Sequence, residues 1–174
     1  IIFLSLILFV LSLNKCNFAK ISSMIEFDLI GTLRTYAQTQ GWVFLSGAEF
    51  YQNYELTAKT LYDGLNGGKL VLGSKFNAKP NFKNGAITSI QYTGSLMLGQ
   101  KTDLAGTESS LDETFIQKYD RRLLDLMTLL ATTIESIACT NELDVTGVSF
   151  EMVVNRFDEN IDGVECSITF IQGQ

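Results

Sequence analysis

The chain has no histidine, one proline, one tryptophan and three cysteines. Each scarcity excludes something. Without histidine there is no ordinary general base near neutral pH, no Ser–His or Cys–His nucleophile pair and no imidazole to hold a metal. The cysteines, Cys16, Cys139 and Cys166, are dispersed and form neither a CxxC knuckle nor a disulfide framework. Cys139 and Cys166 read as buried free thiols, with a single Cys139–Cys166 bridge as the alternative in an exported chain. Positive charge is also short, at 13 basic against 19 acidic residues, a net charge of −6. That balance argues against a sequence-independent grip on nucleic acid, which needs several cations on one face. No cofactor and no metal is expected, and the composition favours a chain that binds or builds over one that catalyses.

What is present suits an ordinary folded domain. The chain has 174 residues, 46% of them hydrophobic and 18% charged. A chain of this size removes roughly 70% of its unfolded surface from water, enough for a core without metal or disulfides.

The first residues stand apart. Ile1–Leu13 is almost wholly apolar, and Ile1–Ser23 contains no Asp, Glu, Gly, Pro or Gln. It is too short to span a bilayer, which takes about 20 apolar residues. As a secretory signal it has an apolar stretch of suitable length but no basic start. The texture changes at Met24, as it would if the reading frame had been opened too far upstream. Residues 1–23 are therefore read as a doubtful leader, either a mis-extended start or a signal or anchor, and residues 24–174 as a single domain.

From Met24 onward, Ile25, Leu29, Leu33 and Tyr36 share a helical face that closes at Gly41. Trp42–Leu45 and Lys69–Phe76 read as strands, and Ala48–Gly64 is ambiguous. Lys79-Pro80 and Lys83-Asn84-Gly85 mark loops, the second a tight turn needing positive φ. Ile90, Tyr92, Gly94, Leu96 and Leu98 alternate with Gln91, Thr93, Ser95 and Met97 in the clearest half-buried strand, where Gly94 indicates a bulge or a close backbone approach. Ser110 and Glu113 form a capping box that opens a long helix reaching Ala138. Its stripe is Ile116, Tyr119, Leu123, Leu126, Leu130, Ile134 and Ile137, widened by Leu124, Met127, Leu129 and Ala131. Val148, Phe150, Met152 and Val154, then Val164, Cys166, Ile168 and Phe170, form a closing hairpin around the polar loop Asn155–Gly163. Helices and strands come in blocks, so the fold class is α+β: a mainly antiparallel sheet packed against one long helix and a shorter N-terminal helix.

Few residues suggest chemistry. Asp158, Asn160, Asp162 and Gly163 match the first half of a calcium loop, but Thr169 stands where the closing glutamate belongs. A solvated turn is the plainer reading. Asp120-Arg121-Arg122 is either a carboxylate grip or the wet edge of the long helix. Gly64–Lys69 lacks the phosphate-loop register, and Glu49 and Glu55 are the nearest thing to a paired-carboxylate site.

The order of elements, with the C-terminal segment VSFEMVV, the turn Asn155-Arg156-Phe157-Asp158-Glu159-Asn160-Ile161-Asp162-Gly163 and the final strand VECSITFI, resembles the tail terminator and tail-completion proteins of tailed bacteriophages. The likeness spans residues 24–174 in order of elements, and Leu143–Ile171 in residues. It implies a non-enzymatic ring subunit, typically a hexamer, that joins the tail tube to the head connector in the virion. Its partners would be itself and other neck and tail-tube proteins, with DNA passing an acidic lumen that repels it. The family has no catalytic motif to carry over. The candidate subunit interface is Tyr119, Arg122, Leu123, Leu126, Leu130 and Ile134 on the over-apolar helix, with Asp158 and Asp162 from the hairpin loop. The competing reading is an exported or surface-anchored bacterial binding domain, whose mark would be a cleaved leader.

Overall fold

The computed structural model describes residues 27–48, 68–101, 115–156 and 161–173. The leader, Ala48–Gly64 apart from Ala48, the Ser110–Glu113 capping box and Asp158 lie outside these residues.

Helix α1 (Leu29–Thr39) begins where Asp28 accepts a hydrogen bond from the Gly31 amide at 2.9 Å. It ends in a Schellman turn: Trp42 N–H reaches the Ala37 carbonyl, Gly41 N–H reaches Gln38, and Gly41 sits at φ +72°. Leu29, Leu33 and Ala37 are buried along its inner face, and Tyr36 stacks edge-on against Trp42.

Strands β1 (Val43–Ser46), β2 (Leu70–Lys83), β3 (Ala86–Lys101), β4 (Leu143–Arg156) and β5 (Ile161–Gly173) form one sheet in the order β1-β2-β3-β5-β4. Among the described strands, only β1 and β2 pair in parallel. The fold is thus mixed helix and sheet, with a mostly antiparallel five-stranded layer. Between β3 and β4 lie a short helix α2 (Phe115–Lys118), a π-helical turn (Tyr119–Leu123) and helix α3 (Leu124–Thr140).

Strand β2 is longer than Lys69–Phe76 and runs straight through Lys79-Pro80, which is not a loop. Proline is tolerated because, among the described residues, β1 covers β2 only at Val71–Ser74 and leaves Pro80 on an edge. The turn at Asn84-Gly85 does take positive φ at both residues, 52° and 78°, as a two-residue hairpin requires. Gly94 is a close backbone approach: a Cβ there would lie 1.9 Å from the Lys75 carbonyl oxygen.

The main core gathers Leu29 and Leu33 from α1, Leu130, Ile134 and Ile137 from α3, and Leu72, Leu96, Leu98, Val164, Ile168 and Phe170 from one face of the sheet. Tyr92 ties the start of α1 to β3, donating its hydroxyl to the Phe27 carbonyl at 3.2 Å. The opposite face carries a smaller cluster of Val43, Leu45, Val71, Met97 and Ile161.

On β4 the alternation shifts at Gly147 (φ 64°), where the register slips between Thr146 and Ser149. Beyond it, Phe150 and Met152 lie on the core side by register, opposite Cys166 and Val164, while Val148 and Val154 fall at the two register shifts of the strand. Only Met152 is packed into the core; Val148, Phe150 and Val154 are exposed, because β4 is the sheet margin. Cys166 is buried as a free thiol, whereas Cys139 is free on the exposed side of α3, so one of the two expected buried thiols is in fact solvent-facing.

Candidate functional site

The residues singled out on the long helix divide sharply. Leu123, Leu126, Leu130 and Ile134 are all buried within their own chain. They hold the fold together and offer no free surface to a neighbour. Tyr119 and Arg122 are half-buried, and Asp158 is outside the described residues.

The helix does not keep the phase that periodicity assigns it. Through Tyr119–Leu123 the chain makes a π-turn, in which the Leu124 amide bonds to the Tyr119 carbonyl five residues back. Such a turn accommodates one extra residue and shifts everything upstream by one position. Ile116, placed on the apolar stripe by its spacing, is 71% exposed, and Lys118 takes the inward place expected for Tyr119.

That shift builds an ionic cluster. Asp162 is not part of a turn: it lies within β5, opposite Gln100 of β3, with 0% of its surface exposed. Lys118, 2% exposed, donates to its Oδ1 at 3.1 Å, and Arg122 Nη1 lies 3.5 Å from Oδ2. The carboxylate therefore faces two cations from consecutive turns of one helix. Buried charges survive only when paired, since desolvation costs several kcal/mol per ion. The calcium-loop and solvated-turn readings both fail at this residue, because its carboxylate points into the core side of the sheet. Gly163 is also in β5, and its lack of a side chain serves close packing: a Cβ would sit 2.5 Å from the Leu98 carbonyl oxygen.

Asp162 and Arg122 each stand out in the sequence, but Lys118 does not. The signal was available as a lysine at position i and an arginine at i+4 on one helix, but a lysine one place off an apolar stripe reads as surface.

On the opposite face, Arg156 donates to Glu165, which also bonds Ser95 and lies near Lys75. Burial raises the Glu165 pKa, but the bonds from Ser95 and Arg156 and the charges of Arg156 and Lys75 outweigh it and hold the carboxyl below its ordinary range. These groups rim a polar cavity of about 120 Å³. A larger groove of about 570 Å³ lies between α1 and the end of α3, with Phe27, Tyr36 and Ile137 among its walls and Thr32, Thr35 and Ser136 among its hydroxyls. Asp28 is the one carboxylate among its described lining residues, and its side chain caps α1. Among the described residues, no three His, Cys, Asp or Glu side chains come together as a metal site, and no helix is long and apolar enough to cross a membrane.

Compared with models of known protein families and with curated proteins, the chain matches none.

Proposed function

We propose that this chain is a self-associating structural subunit, of the type that forms a ring at the neck of a tailed phage and joins the tail tube to the head connector, and that it carries out no catalysis. In this reading the sheet is a layer packed against one long helix, with the shorter N-terminal helix beside it, and the subunit belongs to the virion.

The observation that carries it is the protruding β2–β3 hairpin. Strand β1 accompanies β2 only as far as Ser74, and β5 accompanies β3 only from Ser89 onward. The tip therefore projects past both neighbours, and Phe82 near its end is 63% exposed. An extended arm ending in an exposed aromatic is a feature expected of a subunit that reaches its neighbour. The net charge of −6 suits a lumen that DNA slides through without sticking.

Light scattering on the full chain over a wide concentration range tests the reading, with negative-stain electron microscopy of the largest species. Assemblies of defined size, weakened by Phe82→Ser, are expected. A strict monomer at the highest soluble concentration overturns the proposal. Genes for portal and tail-tube proteins beside its own would support the virion role, and a cleaved chain recovered from a cell envelope would count for the exported binding domain instead.

A further inference from the structure

We infer that neighbouring copies of this chain join head to tail through unlike sheet edges, β4 of one copy lying along the outer side of β2 (Lys75–Lys83) of the next. The inference rests on the self-association proposed above and names the surfaces that would carry it.

The two margins of the sheet are complementary on both faces. Along the part of β2 that no described strand covers, Lys75, Lys79 and Lys83 are all exposed, and this stretch contains no acid. Lys75 pairs with Ser95 and Lys79 with Gln91, residues of the face opposite the main core. On β4 the exposed acids Asp144 and Glu151 pair with Ile171 and Glu165, which places them on that same opposite face. The core side matches as well. There β2 presents Ala78, Pro80 and Phe82, all exposed, and β4 presents the exposed Phe150, with Val148 and Val154 exposed at the register shifts on either side of it. One edge is thus lysine on one face and apolar on the other, and its counterpart is acidic and apolar in the same order.

Direction fits too. From β2 through β3 and β5 to β4 every step is antiparallel, so β4 runs opposite to β2. A second copy placed beside the first, without being turned over, meets it as an antiparallel pair with like faces aligned. Pro80 has no N–H to donate and Gly147 sits at a bulge, so side chains rather than a continuous ladder carry the contact.

Lysines and prolines on edge strands ordinarily prevent indiscriminate pairing. Here the same residues select the partner. Two β2 edges would bring lysines together and two β4 edges would bring acids together, so only the unlike pair attracts. A contact between two different surfaces is heterologous, and such contacts propagate into rings when the rotation closes and into filaments when it does not.

Charge reversal on the full-length chain tests this by light scattering at low and high salt. K79E/K83E makes both edges acidic, and D144K/E151K makes both basic. Each is expected to raise the concentration needed for assembly by about tenfold or more, and added salt is expected to weaken the unaltered assembly. Mixing the two variants restores assembly, since every contact in an alternating arrangement is again between unlike charges. The chain carrying all four changes also restores it alone, which shows that each variant surface still folds. Assembly that proceeds unchanged in both reversed variants overturns the edge contact while leaving self-association intact. A monomeric unaltered chain overturns both readings together.

Discussion

Lys118 donates to the buried carboxylate of Asp162 at 3.1 Å across 44 positions of chain, and Arg122 completes the cluster from the next helical turn. The pair pins the π-turn to β5. A one-residue slip in this helix would replace Lys118 with Tyr119 or Gln117 at the carboxylate, leaving a buried charge with a weaker partner. The cluster therefore fixes helix phase as well as position.

Replacing Asp162 leaves two cations gathered around a neutral group. Asp162→Asn is expected to lower stability by about 3–5 kcal/mol. Lys118→Met, which leaves Arg122 to balance the carboxylate, is expected to cost less. Urea denaturation followed by circular dichroism measures both. Equal, negligible losses would show that the cluster contributes nothing to phase or stability.

The Glu165 carboxyl sits below its ordinary pKa range because Ser95, Arg156 and Lys75 together outweigh the effect of burial. A lowered folded-state pKa contributes stability that is fully present above the unfolded value and is lost as pH falls through the folded one. Stability is thus expected to fall through the acidic range, and Glu165→Gln to flatten that part of the profile. Melting temperature against pH, for both proteins, is the measurement.

At the alkaline end Tyr92 acts in the opposite sense. Burial, helped by the charge of Asp28, pushes its pKa up from 10.0. A raised folded-state value contributes stability present below the unfolded pKa and lost as pH rises through the folded one. Unfolding above about pH 10 should coincide with the ultraviolet signal of tyrosinate formation. Tyr92→Phe removes that contribution together with the hydrogen bond to Phe27.

The two cysteines of the described residues should separate cleanly by reactivity. Cys139 is exposed, whereas Cys166 is buried and burial pushes its thiol up. Iodoacetamide followed by peptide mapping should find Cys139 alkylated and Cys166 untouched until denaturant is added. Rapid native-state labelling of Cys166 would mean that β5 opens.

Two glycines give contrasting costs. Gly94→Ala drives a methyl group against the Lys75 carbonyl, so β2 and β3 must part, and a loss of at least about 3 kcal/mol is expected. Gly85→Ala meets no atom within 4 Å and is opposed only by its φ of 78°, for a loss of about 1 kcal/mol. Thermal unfolding of the two variants side by side checks the ratio.

Periodicity was a good guide where one residue pattern served one neighbour. The alternation of Ile90 to Leu98, the Asn84-Gly85 turn and the closure of α1 at Gly41 were legible, because each depends on local stereochemistry. What escaped depended on position in the finished sheet. The continuation of β2 through Pro80 needed an edge position that only the order of strands creates. The exposure of Val148, Phe150 and Val154 needed β4 to be a margin, whereas an alternating strand reads the same at a margin or in the middle. The candidate site was least legible of all: an extra residue in a helical turn exchanged Tyr119 for Lys118, and an acid inside a polar, turn-like run proved to be the buried partner.

The seam between β3 and β5 has a kinetic consequence. Each of these strands also pairs with its near neighbour in sequence, β2 with β3 and β4 with β5, while the seam joins Ser89 to Gly173 across the intervening helices. Closing the two hairpins entails little loop entropy, and the long-range search is made once, between two partly formed halves. The domain should then assemble as a docking of two pieces, and two peptides parted within the 102–114 connection would retain the information needed to find each other.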